Sequence, residues 1–421
     1  MFERSVLPDG PRVISARLPG TRSLSIAVYV LAGSRMESRD RWGVAHFMEH
    51  VTFKGTQAYR STRALSEAIE GVGGNSNAAT DRESTVYWAR VPVREAERAM
   101  SVLAELVVRP LLRDEDIDRE REVIVDEIRS YRDDPGQFVY NAFDEAFFGD
   151  TPLGWEIAGD EDSVRSLSGE QVRGFWSDAY RPANLVVSVA GDLDHESVVG
   201  LVGDRFGRGV GALPAFQPAP GPPDAPRLSV VERSTSQAYM ALGVPALPRD
   251  HPDGWTLDML TTILGDGSSS RLFLSIREEA GLAYDVHAFA TDFADAGTLQ
   301  VFAGVDPELT VKALRAILAE LARLREEPVG ADELHRARAF AGGRLELRLE
   351  ESRHLASWIG IQEALHERVL TADEVLARYE AVTADQIQEL AGRLIRDEGL
   401  TLAVVCPPGH GRGLAAALRV P

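Results

Sequence analysis

The chain has 421 residues, a formal net charge of −20, and 44% hydrophobic against 26% charged residues. This length exceeds one ordinary core and suits two domains of about 200 residues each, and the acidic balance argues against a nucleic-acid partner. No apolar run reaches the ~18–20 residues of a membrane span, Met1–Val13 has no apolar signal region, and the only cysteine is Cys406, so no membrane, no disulfide and a cytoplasmic location are expected.

In chain order, the β-branched run Ile26–Val30 predicts a strand. His46-Phe47-Met48-Glu49-His50 follows. It reads H-x-x-E-H, the zinc-protease pattern H-E-x-x-H run backwards. On a helix, His at i and i+4 lie one above the other, so both imidazoles can reach one ion. Glu49 can lean toward a water on that ion without being a ligand. Two ligands and a base in one short stretch leave the site one ligand short.

Gly73–Tyr87 alternates small and polar residues, with Asn75, Asn77 and Thr80 along it, as an edge strand would. Thr85–Val91 predicts another strand and Val93–Val107 a helix. Asp114–Arg132 predicts a helix on the stripe Ile117, Val123 or Ile124, and Ile128. Glu120 and Glu127, two turns apart, share one of its faces. A carboxylate would complete a His2Glu site and leave the fourth position for water. Glu115, Glu120, Glu122, Asp126 and Glu127 all compete for that place, and a solvated acidic face is the ordinary reason for such a run. Spacing alone does not choose among them.

Arg208–Pro226 is rich in Pro, Gly and Ala. It reads as a linker, giving domains at 1–212 and 227–421 joined by 213–226. The halves resemble each other. Ser23–Arg35 matches Gln237–Arg249, and Asn184–Gly191 matches Gly399–Cys406 at nearly the same offset, which indicates an internal duplication. The second half adds helices at Pro307–Arg325 and Ala331–Leu349. Strands followed by runs of helices predict an α+β class, each domain a mostly antiparallel sheet with helices packed on one face. Carried across the repeat, His46, Glu49, His50 and Glu127 fall near Leu260, Ile263, Leu264 and Ala341. The fold therefore does not require ionisable groups there, and burying them without a metal or other partner costs several kcal/mol. His195, His251, His287, His335, His354, His366 and His410 have no partner at ligand spacing and read as surface or packing residues. Leu272–Tyr284 holds Arg277 and Tyr284 in the pattern RxxxGLxY, which reads as a helix, a Gly C-cap and a strand start.

Five stretches together carry a resemblance: Trp42–Thr56, Gly73–Thr85, Glu120–Ile128, Tyr180–Asp192 and Gly265–Val286. Over essentially its whole length the chain resembles the pitrilysin/insulysin superfamily of zinc metallopeptidases. It is most similar to the short two-domain subunits of mitochondrial-processing-peptidase type. The resemblance implies His46, His50 and Glu127 as ligands of one Zn²⁺ per chain, Glu49 as general base, and Glu120 as the carboxylate supporting the site from behind. It implies that the strand bearing Asn77, Ala78 and Ala79 takes the substrate as an added strand. Family members often carry an aromatic where Ala79 stands. It further implies that Arg277 and Tyr284 bind the peptide and stabilise the tetrahedral oxyanion, for which a guanidinium fork and a phenol are apt donors. In two-subunit relatives the zinc motif and this pair can lie on separate chains. Here one chain carries both, which implies a homodimer with each zinc site completed in trans. The implied activity is zinc-dependent endopeptidase action on peptides or unfolded polypeptide segments. One alternative is a non-catalytic scaffold or core subunit of the same fold, although such subunits typically lose motif residues and this chain has lost none. The other is a structural zinc, although structural sites usually close with four protein ligands and favour Cys.

Overall fold

The computed structural model describes residues 2–8, 10–203, 205–207, 209, 215–366 and 368–421. Residues 208 and 210–214 of the stretch read as a linker lie outside the described residues. The chain divides into two compact units, and neither is one continuous segment. The first comprises 1–129, 156–217 and 346–371, and the second 130–155, 218–345 and 372–421.

The first unit holds strands β1 (Phe2–Val6), β2 (Arg12–Arg17), β3 (Ser23–Val30), β4 (Asn75–Thr80), β5 (Thr85–Pro92) and β6 (Leu185–Gly191). They lie in the order β1-β2-β6-β3-β5-β4, with β4 at one edge. The β2–β6 pair is parallel and the other pairs antiparallel. Its helices are α1 (Val44–Thr52), α2 (Thr62–Glu70), α3 (Ala96–Val108) and most of α4 (Asp114–Asp133), with α6 (Glu161–Ser166), α7 (Gly169–Ala179) and α8 (His195–Gly203). The helix expected from Val93 starts at Ala96, because Val93–Glu95 forms a 3₁₀ turn directly after Pro92.

Strand β3 is buried along nearly its whole length, which explains its apolar run. On one face Leu24, Ile26 and Val28 pack in a single core with Val44, Phe47, Met48 and Val51 of α1. On the other face Ile14, Tyr29 and Val186 meet Ala356 and Ile359 of α12 (Ser352–Leu365). The expectation of helices on one face therefore needs a refinement: a single helix from the far end of the sequence covers the second face. Its approach is close. A Cβ at Gly360 would come within 2.5 Å of the Tyr29 ring, and the Ser188 hydroxyl donates to the Ala356 carbonyl at 2.6 Å.

The second unit repeats the plan. Strands β7 (Arg227–Glu232), β8 (Ala238–Pro245), β9 (Ala283–Asp292), β10 (Gly297–Val305) and β11 (Thr401–Cys406) run in the order β7-β11-β8-β10-β9. This matches β2-β6-β3-β5-β4 strand for strand, including one parallel pair in each sheet. Helices α9 (Gly254–Gly265), α10 (Thr310–Glu326), most of α11 (Ala331–Leu349), α13 (Ala372–Ala381), α14 (Ala384–Leu394) and α15 (Leu414–Ala417) belong to this unit. Here too the opposite face is covered by one helix from the other half of the sequence. Val139, Phe143 and Phe147 of α5 (Pro135–Phe148) pack with Ala241, Ala403 and Val405. Among the described residues, no helix is long and apolar enough to cross a membrane.

Candidate active site

Helix α1 begins without a side-chain cap of its own. Its N-cap, Gly43, has φ +89°, and a Cβ there would meet the Ala158 carbonyl at 2.7 Å. The missing cap comes from Glu37, whose carboxyl accepts from the amides of Gly43 at 2.8 Å and Ala45 at 2.7 Å. A negative group at a helix N-terminus is favourable, but burial outweighs it and pushes the Glu37 carboxyl up to about 8.

One turn in, His46 and His50 lie on the same face with ring centroids 4.6 Å apart. Helix α4 brings Glu127 to them. Its Oε2 lies 3.2 Å from His50 Nε2 and 3.9 Å from His46 Nε2. All three ligand atoms fall within 4.8 Å of one another, and this is the only such group among the described residues. Tetrahedral Zn²⁺ with bonds of roughly 2.0–2.2 Å needs only a small contraction of this set. Two imidazoles and one carboxylate are also the donors a borderline divalent ion prefers, and three ligands leave a fourth position open. The residues present fit the metal.

The imidazoles are tuned differently. Burial, helped by the neighbouring His50, lowers His46 and keeps it neutral, the form that offers a lone pair. Burial also works against a charged His50, but its hydrogen bonds to Glu120 and Glu127 win and raise it. Glu120 Oε2 lies 3.4 Å from His50 Nδ1, and its other oxygen receives Lys54 Nζ at 2.7 Å. Burial would raise Glu120, yet His50 and Lys54 hold it below the usual carboxylate range. An ionised Glu120 holds the proton on Nδ1, so that Nε2, which bonds Glu127 here, is the nitrogen that would give up its proton and turn a lone pair to a metal ion.

Glu49 projects from the same helix, outside the ligand set. Its Oε2 accepts from the Thr80 hydroxyl at 2.6 Å. Burial raises this carboxyl above its ordinary value, toward the range of a base working near neutral pH. Thr80 ends β4, whose outer edge pairs with no strand among the described residues. Asn75, Asn77 and Ala79 are exposed, while Ala78 is buried. Asn77 accepts the Ala78 amide at 3.0 Å.

Arg277 and Tyr284 lie in the second unit, and the ligands and Glu49 in the first. Arg277 sits on a π-helical turn, Phe273–Glu279. Gly281, with φ +59°, ends that turn, and Tyr284 enters β9 as read from the sequence. The Arg277 guanidinium stands 5.2 Å from the Tyr284 ring centre and 4.8 Å from that of Phe273. Tyr284 is 76% exposed.

Thr80, Lys54 and Glu37 were not legible as functional from sequence. Lys54 carried one faint signal: it is one of only two lysines in a chain otherwise charged by arginine. Of the remaining histidines, His195 bridges the Ser5 and Ser15 hydroxyls at 2.8 Å each, and His287 stacks on Phe302.

Comparison with known proteins finds relatives along the whole chain. Residues 12–161 match the model of the insulinase family, peptidase family M16, and residues 166–340 match the model of the peptidase M16 inactive domain. The chain is 37% identical to an uncharacterized zinc protease of Streptomyces coelicolor, over 96% of this chain and 89% of that one. It is 31% identical to the uncharacterized zinc protease YmxG of Bacillus subtilis, over 97% and 99%. Its fold matches the crystal structure of a protease from Helicobacter pylori with a TM-score of 0.91 at 23% identity, covering 97% of this chain and 100% of that one. With its motif on α1, its duplicated sheets and these full-length relatives, the chain belongs to the insulinase family of peptidases, family M16, in its short two-domain form.

Proposed function

We propose that the protein is a zinc-dependent endopeptidase acting on peptides or unfolded polypeptide segments. The observation that carries this reading is the convergence of His46, His50 and Glu127 beside a Glu49 carboxylate held by Thr80. When bound, Zn²⁺ supplies a Lewis acid that lowers the pKa of a water to about 7 and polarises the scissile carbonyl. Glu49 takes the proton of the attacking water and returns it to the leaving amine. Thr80 fixes the carboxylate orientation for both transfers. The Lys54–Glu120–His50 chain fixes the His50 tautomer. The free edge of β4 receives the substrate as an added strand, with backbone contacts at Asn77, Ala78 and Ala79 that tolerate many side chains.

Arg277 and Tyr284 complete the proposal as donors to the carbonyl oxygen as its charge grows. Their mutual stacking and the exposure of Tyr284 support a role toward something outside their own unit. We place them in trans, in a homodimer. Mixed Arg277→Ala and Glu49→Gln proteins, allowed to exchange subunits, should recover activity that neither has alone, and no recovery would sink the trans arrangement.

A non-catalytic scaffold of the same fold is the competing reading. It draws on the inactive-domain match, but that match covers residues beyond the intact motif. Metal analysis and cleavage of a quenched peptide separate the readings. Near-stoichiometric zinc with turnover abolished by a chelator is the expected result. Zinc-loaded pure protein that cleaves no peptide would favour the scaffold.

A further inference from the structure

The far end of β4 opens into a cavity of about 800 Å³ lined by Arg22, Arg90, Arg94, Asn75, Gly73 and Asp192, among others. Three arginines line it in a chain of net charge −20. The one carboxylate in the lining is already committed: Asp192 accepts from Arg17 at 3.0 Å and from the Gly20 amide at 2.9 Å. Those bonds hold it below the usual range. Arg94 has only a long contact to its neighbour Glu95, at 3.6 Å. Among the described residues Arg22 and Arg90 form no ion pair; Arg22 and Arg94 are exposed, and Arg90 is half-buried. A partly desolvated guanidinium with no anion is an unmet demand for one.

The register places this cavity on the path of a substrate. Asn75 pairs with Arg90 and Thr80 with Thr85. Directly opposed residues of a ladder share a face, so Asn75 and Arg90 point the same way. A peptide added to the free edge of β4 has one residue opposite Thr80, beside Glu49. Another, about five positions along and roughly 17 Å away, lies opposite Asn75. Its side chain points to the Arg90 face.

We infer that Arg90, with Arg22 and Arg94 supplying positive charge around it, forms a subsite for a carboxylate of the substrate, borne about five residues from the position beside Glu49. This inference rests on the peptidase reading for its substrate, but binding and turnover test the two separately. The binding probe is a short fluorescein-labelled peptide of Ala, Leu and Gln, with a single Glu moved along it, measured by anisotropy on the zinc-loaded Glu49→Gln protein. A second series carries no Glu and ends either as a free acid or as an amide, which distinguishes a side-chain carboxylate from a terminal one.

One placement of the carboxylate should tighten binding by about tenfold, the worth of one charge-assisted hydrogen bond. Arg22→Gln/Arg90→Gln should bring the ratio of acidic to neutral peptide back to about one. Arg90→Lys, which keeps the charge, should retain part of it and guards against misreading a folding defect. Equal binding of acidic and neutral peptides at every placement, or a preference that survives the double variant, overturns the subsite. Failure of the wild-type protein to cleave any of these peptides would count against the peptidase reading and leave a measured acid preference intact.

Discussion

Helices α1 and α9 belong to two units with sheets of the same strand order, and both turn apolar side chains into their cores, yet only α1 carries a set of metal-ligating residues. Helix α1 presents His46 and His50 toward Glu127, with Glu49 beside them on Thr80. Helix α9 presents Leu260, Ile263 and Leu264, all buried in a continuous core. The second copy keeps an apolar helix here without such a group. The first copy packs Val44, Phe47, Met48 and Val51 inward and adds the half-buried ionisable set beside them. It leaves the buried His46 Nδ1 without a hydrogen-bond partner and requires a dedicated Glu120–Lys54 pair behind His50. Ionisable groups held at such a cost indicate chemistry rather than architecture.

The sharpest way to break this comparison is Glu49→Gln. It should lower peptide turnover by about 10²–10⁴-fold while metal analysis still finds zinc, because Glu49 is outside the ligand set. Retained turnover would remove Glu49 from the reaction. A reciprocal exchange comes next in size. Leu260→His places an unpartnered imidazole in an apolar core and should cost on the order of 2–5 kcal/mol in denaturant unfolding. His46→Leu should abolish zinc binding but leave the metal-free protein as stable as before or more so. If both exchanges destabilise equally, the two helices are not the contrast drawn above.

A subtler probe is Lys54→Met, which should weaken zinc affinity by about 10–100-fold in competition with a chromophoric chelator, through Glu120 and His50. The smallest effect concerns Glu37, which caps only the helix that carries the motif. Its carboxyl is ordinarily at 4.5 and sits at about 8 in the fold, so the native state holds a proton that the unfolded chain releases. That contribution is complete below about 4.5 and is lost as pH rises through about 8. Glu37→Gln mimics the protonated form and should flatten the decline of Tm between those limits, by roughly 2–4 °C per kcal/mol removed.

What could be read from sequence follows the range of the interaction. His46, Glu49 and His50 share one helix, so their spacing alone brings them together. Helix α4 was visible from its apolar stripe and starts at Asp114 as read. Choosing Glu127 among its acids took the family resemblance, since several carboxylates share that helix. The Thr80–Glu49 bond was invisible because it depends on where β4 ends beside α1. The Glu37 cap was hidden because the carboxyl reaches α1 from an upstream turn, while Gly43 supplies no side chain. The coverage of each sheet's second face was also not legible, because α5 and α12 look amphipathic in sequence without naming the sheet they meet.

That exchange of covering helices bears on how the chain is made. When synthesis has passed β6, the first sheet has all its strands but not its second lid. Ile14, Tyr29 and Val186 stay open to water until α12 emerges. The nascent first half is thus an unfinished body with a hydrophobic wall, the kind of surface that chaperones hold and that aggregates form around. For the same reason a cut near the middle of the chain should not release two independent halves.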